Sequence, residues 1–177
     1  MLLKLKNVQI AFPNLGAPQA MGEGEPAYGA KFVIEPGSEA EKQLDAAIEA
    51  VAKDAWKDKA PNILKALRED KKVCFSKTEY RSKKTGEPYD GFEGKYYLNT
   101  RNAQTQPTVV SRLGVKVEDR GEIEQLIYSG CFTHASIDIW AQNNKYGNRV
   151  NCTLRGVMFA NDGKNFGGGS PPASVDE

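Results

Sequence analysis

The sequence predicts a mainly β protein, an OB-fold-like Greek-key barrel carrying a helical insertion made of an acidic helix pair. Three observations carry this reading. From Val73 onward, apolar and polar residues alternate in stretches of strand length. Clusters of Gly, Pro and Asn separate those stretches. Residues 38–69 instead space their apolar side chains for helix. The 177 residues suit one domain. It is expected over 1–169, with the helical insertion at about 38–69 and a short flexible tail at 170–177.

Residues 2–12 alternate and read as a first strand, ended by Phe12-Pro13-Asn14. Pro13, Pro18, Pro26 and several glycines make 13–27 a loop. Tyr28 to Glu35 is a second strand with Ala30, Phe32 and Ile34 on one face, stopped by Pro36-Gly37. Ser38-Glu39-Ala40-Glu41 is a capping box. Leu44, Ile48, Val51 and Ala55 then define a helix of about 38–57, and Pro61 opens a shorter one reaching Arg68. Further strands are expected at 73–81, 94–101, 107–112, 130–142 and 149–159. Gly114 to Glu124 reads as a loop or short turn, and 143–148 as a hairpin turn. Five to seven strands with a helical cap fit a barrel of the OB type.

Net charge is +1, so the chain is no generic polycation. The charge is unevenly placed, however. Lys71 to Lys116 holds ten Lys/Arg against four Asp/Glu, and Glu35 to Asp70 holds nine acids against six bases. A basic patch can hide within such a total. No run approaches the roughly 18 apolar residues of a membrane span, and residues 1–12 do not read as a signal peptide. Cys74, Cys131 and Cys152 are scattered, so buried free thiols are expected in place of disulfides or a zinc ribbon. His134 is the single histidine. Walker, HExxH and GxSxG patterns are absent, so neither an enzyme nor a cofactor or metal site is expected.

Strand parity picks out the candidate site. In 132–142, Ala135, Ile137, Ile139 and Ala141 share one face, and Ser136, Asp138, Trp140 and Gln142 the other. In 149–157, Val150, Cys152 and Leu154 oppose Arg149, Asn151, Thr153 and Arg155. Any even-numbered turn joins the apolar faces. That leaves Trp140 outside, between Arg149 and Arg155. In 94–101, Tyr96, Leu98 and Thr100 oppose Lys95, Tyr97, Asn99 and Arg101. The connection before it interleaves Lys77, Tyr80, Arg81, Lys83, Lys84, Tyr89 and Phe92 around Gly86. Aromatic faces stack any base, cations track phosphates, and amides bond base edges, so the pattern predicts a platform for single-stranded nucleic acid. Trp140 and Tyr97 are expected on one groove face, with Tyr96, Leu98, Ile137, Ile139, Cys152 and Leu154 buried. The loop 81–92 is expected to be mobile until a strand binds.

Tyr28-Gly-Ala-Lys-Phe-Val-Ile, Gly91-Phe-Glu-Gly-Lys-Tyr-Tyr-Leu-Asn, Tyr128-Ser-Gly-Cys131, Ala135 through Val150 and Leu154-Arg-Gly-Val resemble a family of phage-encoded single-stranded DNA-binding proteins. The resemblance runs over roughly 2–169. It implies an OB-fold with helical additions, cooperative or sequence-independent binding of single strands, and a role in phage DNA replication and recombination. It further implies phage or host replication proteins as partners and a place in the cytoplasm of the infected host. Replicative single-strand binders often end in a long acidic tail with a terminal aromatic. Here Ser174-Val-Asp-Glu177 has two acids and no aromatic. A metal-dependent nuclease on a similar barrel would need a carboxylate cluster that the β-rich half does not set out. A virion structural or interaction protein would use the barrel for protein contacts instead.

Overall fold

The computed structural model describes residues 1–20 and 24–166; the expected tail at 170–177 lies outside them. Five strands close the barrel. They are β1 (Leu2–Gln19), β2 (Ala27–Ile34), β4 (Tyr96–Asn102), β7 (Phe132–Asn144) and β8 (Gly147–Asn161). Around the barrel they run β1-β2-β4-β8-β7 and back to β1. All neighbours are antiparallel except β4 and β8, which pair parallel with Arg101 opposite Thr153. That is the topology of an OB-fold, in which the second and third barrel strands form the usual binding face. Here those strands are β2 and β4. The short β3 (Phe75–Ser76) extends the sheet beside β4, and β5 (Thr108–Val110) and β6 (Lys116–Val117) extend it beside β8.

β1 runs through the loop expected at 13–27 as far as Gln19. It pairs with β7 through Leu2–Gln9 and with β2 through Gln9–Gln19. A strand shared in this way must coil around the barrel. Register shifts supply the bend, at Asn7 (φ 55°) between Leu5 and Val8, and at Phe12 (φ 50°) between Ala11 and Asn14. Pro13 falls inside the second shift, where a missing N–H breaks no ladder bond.

The helical insertion forms α1 (Glu39–Trp56), one 3₁₀ turn and α2 (Ala60–Glu69). Ser38 Oγ accepts the Glu41 N–H at 3.3 Å. Glu41 Oε1 reaches back to the Gly37 N–H, 2.6 Å away, one residue earlier than the usual box. Leu44, Ile48, Ala52, Leu64 and Leu67 bury against the barrel core. Where Gly114–Glu124 reads as a loop, the chain forms β6 and a short helix α3 (Arg120–Leu126). Asp119 caps α3 through the Glu122 N–H at 3.1 Å, and Ile123 and Ile127 anchor it. The strand expected at 73–81 shortens to β3, because Lys77 leaves the sheet to pair with Glu41 and Asp45 of α1.

The β7–β8 hairpin follows its parity. Thr133, Ala135, Ile137 and Ile139 are buried on β7, and Val150, Cys152 and Leu154 on β8. Asn144 pairs with Gly147, so the turn is the two residues Lys145 and Tyr146. All three cysteines are buried and free. Ile137 is fully buried, so Ile137→Ala should lower the unfolding free energy by about 2–5 kcal/mol. Urea denaturation would measure this; a loss below about 1 kcal/mol would mean that the barrel interior tolerates the cavity.

Candidate nucleic-acid interface

A groove of about 890 Å³ crosses the outer face of β7, β8, β4 and β2. Its residues follow from register. Trp140 stands opposite Asn151 on β8 and is 41% exposed. Its indole N–H donates to Thr153 Oγ1 at 3.0 Å, which fixes the ring while leaving a face open. Thr153 neighbours Arg101 across the parallel pair, and Arg101 donates to the Glu25 carbonyl at 3.1 Å. Two positions along β4, Asn99 faces Lys31 of β2 and accepts a hydrogen bond from its ammonium. Arg149 and Arg155 stand on the β8 side. A register shift separates the Ile137–Leu154 and Ser136–Gly156 pairs, so Arg155 is the extra residue of a bulge. Arg155 reaches Asp138 at 3.4 Å, and Asp138 also pairs with the α-amino group of Met1. Asn99, Arg101, Trp140, Arg149 and Arg155 thus share one groove.

The aromatics of the preceding connection form a second patch. Tyr80 lies 4.9 Å from Tyr89 and 5.0 Å from Tyr97, with Phe12 edge-on to both Tyr80 and Tyr89. Burial, and then the phenols of Tyr89 and Tyr97, push the Tyr80 hydroxyl well above its ordinary range. Tyr97 joins this cluster and does not line the groove beside Trp140. Tyr96 is half-buried against Phe75, less enclosed than its parity suggests.

Phe92, expected to face the ligand, presents no surface in this geometry. It is fully buried with Ala11, Val33 and Phe166 in a small second core, beneath Tyr80 at 5.5 Å. Gly91, at φ 88°, turns the chain inward there, and a Cβ on it would run into the Phe166 ring. The loop expected to be mobile is closed into a small hairpin. Arg81 bridges Pro88, Tyr89 N–H bonds the Tyr80 carbonyl at 2.9 Å, and Ser82 N–H bonds the Glu87 carbonyl at 2.9 Å.

The cations divide by partner. Lys77 is held by Asp45 at 2.8 Å and Glu41 at 2.9 Å, which raise its pKa. Lys95 pairs with Glu35, and Arg81 with Glu79 and the Gly86 carbonyl. These three serve the local structure as well as any ligand. Lys83 and Lys84 at the hairpin tip are exposed and form no ion pair among the described residues.

Sequence reasoning passed over the two residues that join the patches. Lys31 lines the groove and holds its ammonium 4.7 Å from the centre of the Tyr80 ring. Its parity, opposite Ala30, Phe32 and Ile34, marks it as outward, by the rule that found Tyr97 and Trp140. Phe12 lines the groove too, but its orientation depends on the bulge and could not be counted from alternation. Tyr146, at the hairpin turn, is 79% exposed beneath Lys145. Among the described residues, no three His, Cys, Asp or Glu side chains converge as a metal site. Flat rings, cations and amides along one open groove suit a flexible polyanion with stacking bases.

Comparison with known proteins agrees in kind. A family model described as the single-stranded DNA-binding protein of Enterobacter phage Enc34 matches residues 1–177. Putative protein p50 of Acyrthosiphon pisum secondary endosymbiont phage 1 is 33% identical over 181 residues, covering 100% of this chain and 92% of that one. The Enc34 protein solved in complex with single-stranded DNA superposes with a TM-score of 0.74 at 27% identity, covering 94% of this chain and 89% of that one. The single-stranded DNA-binding protein gp2.5 of bacteriophage T7 is 13% identical, with a TM-score of 0.57 over 99% of this chain and 97% of its own; it shares the fold.

Because Phe92 is fully buried, Phe92→Ala should cost about 3–5 kcal/mol of stability in urea unfolding. A variant as stable as the parent would show that the second core does not depend on this ring.

Proposed function

This chain belongs to the phage single-stranded DNA-binding protein family typified by the Enc34 protein, and on that premise we propose that its β7-β8-β4-β2 groove and adjoining aromatic patch are where the strand lies. Proteins of this class bind and are not enzymes. The strand crosses the groove from Trp140, Arg149 and Arg155, past Arg101 and Asn99, to Lys31 and the Tyr80–Tyr89 rings. From there Lys83 and Lys84 extend the cationic track. Three strand spacings of about 4.8 Å put the crossing at roughly 14 Å.

One observation supports this reading above the rest. Register and one hydrogen bond link Trp140, Thr153, Arg101, Asn99 and Lys31 in a diagonal path across four strands, on the face where OB-folds bind oligonucleotides: Thr153 pairs with Arg101, Asn99 pairs with Lys31, and the Trp140 indole bonds Thr153. Stacking and phosphate pairing do not read base identity, so binding is sequence-independent. The biological role that fits is coating and protecting single strands during phage replication and recombination, in the cytoplasm of the infected host. No helix among the described residues is long and apolar enough to cross a membrane.

Affinity for oligo-dT, measured across a salt series, separates the two kinds of contact. Trp140→Ala should weaken binding by roughly 1–3 kcal/mol with an almost unchanged salt slope, because stacking releases no counterions. Arg101→Ala or Lys84→Ala should each flatten the slope of log K against log salt by about 0.7. Unchanged affinity in the Trp140 variant would remove the groove as the platform.

A further inference from the structure

Lys31 is an unusual lysine. It is half-buried, yet among the described residues no carboxylate pairs with it. The groups around it can be named element by element. β4 offers the neutral amide of Asn99 and, two residues on, the like charge of Arg101. β1 offers Ala11, its register partner, and neighbouring Phe12. The aromatic patch offers the Tyr80 ring, with the phenols of Tyr89 and Tyr97 beside it. A buried cation usually has an anion, because desolvation otherwise goes uncompensated. Here a π-face and an amide stand in, and the ammonium still opens into the groove.

We propose that Lys31 is the phosphate anchor at the junction of the groove and the aromatic patch, and that it makes single-strand binding proton-linked. This rests on the groove being the binding site. It goes further by naming the one cation whose charge the bound strand restores. Tyr80 holds the ammonium from one side and Asn99 from another, leaving the groove side for a phosphodiester oxygen.

Burial pushes the Lys31 ammonium down from 10.5 to about 8. An adjacent phosphate favours the charged form, so the pKa rises in the complex. Above about pH 8 the free protein loses this proton while the complex keeps it, and binding takes a proton up. By linkage, affinity is flat below that pH and falls above it, by at most about tenfold per pH unit for one proton.

The experiment measures oligo-dT affinity from pH 6.5 to 9.5 at fixed salt for the parent chain, Lys31→Arg and Lys31→Met. Circular dichroism at each pH confirms that all three remain folded. The parent should bind constantly up to about pH 8 and then weaken, whereas the arginine variant, charged throughout, should not share that fall. Lys31→Met should be weaker than the parent at pH 7, with the gap narrowing toward pH 9.5. Calorimetry at pH 8.5 in two buffers of different ionisation enthalpy should show proton uptake by the parent and less by Lys31→Arg. All other titratable groups are common to the proteins, so the differences belong to position 31. Matching pH profiles and proton uptake in the parent and Lys31→Arg would overturn the anchor and leave the groove standing. Absence of oligo-dT binding at every pH would remove the groove reading itself.

Discussion

Closure of the barrel turns on one parallel register, Arg101 of β4 opposite Thr153 of β8. Every other neighbouring pair in the barrel is antiparallel. Without the parallel contact the strands would form one open sheet, β4-β2-β1-β7-β8, with β4 and β8 apart at its two sides. Trp140 would then lie far from Lys31. With it, the outward residues of four strands fall into line, and two half-sites become one groove. The closing pair is also held from the side. Cys74 N–H bonds the Val150 carbonyl at 2.9 Å, and Asn99 N–H bonds the Cys74 carbonyl at 2.9 Å. The segment before β3 thus ties β8 to β4 next to the groove floor. Structure and function share this junction, because the strands that seal the core also carry the cations.

The aromatic residues divide their work by depth. Phe92 and Phe166 are buried and support the layer above them. Tyr80, Tyr89, Tyr97 and Phe12 form that layer, each half-buried and edge-on or tilted against its neighbours. Such pairs stabilise one another beyond their burial, by about 0.5–1.5 kcal/mol each. A ring already fixed by its neighbours loses little freedom when a base stacks on it. The hairpin bonds from Ser82 to Glu87 and from Tyr89 to Tyr80 extend the same economy to the backbone.

Much of the fold was legible because it is local. Ser38 and Glu41 mark the start of α1 by their own bonding. The parity of Ile137, Ile139, Cys152 and Leu154 survives because the turn at Lys145-Tyr146 has an even number of residues. Helix α3 was not legible: Asp119 and Glu122 have cap spacing ahead of Ile123, but the polar residues around them make the segment look like a loop. What alternation does not encode is which strands become neighbours. Nor does it show that Phe12 and Pro13 bend β1 without ending it. Phe92 is the instructive case among the site residues. Its spacing among Tyr80, Tyr89 and Lys95 resembles that of a ligand-facing ring. Its burial depends on Phe166, distant in sequence and brought beneath it by the fold. Lys31 needed no tertiary knowledge to be placed outward. Its lack of a counter-ion among the described residues, which makes it chemically distinctive, is a property of the folded surroundings alone.

The charge distribution gains meaning from these pairings. Twenty-four basic and twenty-three acidic side chains nearly cancel in the whole chain. They do not cancel locally. Glu41 and Asp45 hold Lys77, Glu35 holds Lys95, and Glu79 holds Arg81, so acids neutralise cations that build the helix contact and the hairpin. Lys31, Arg101 and Arg149 in the groove, and Lys83 and Lys84 at its margin, have no such partner among the described residues. At physiological salt, fields between exposed charges fade within about 8 Å, so acids on the far side of the helices do little to dim the groove. A polyanion is then attracted chiefly where rings and amides can also engage it. Near-neutrality overall limits adhesion of duplexes and other polyanions elsewhere on the surface. On this argument the acidic insertion contributes to selectivity without touching the strand, because Glu41 and Asp45 of α1 take up Lys77 beside the hairpin while the groove keeps its unpaired cations.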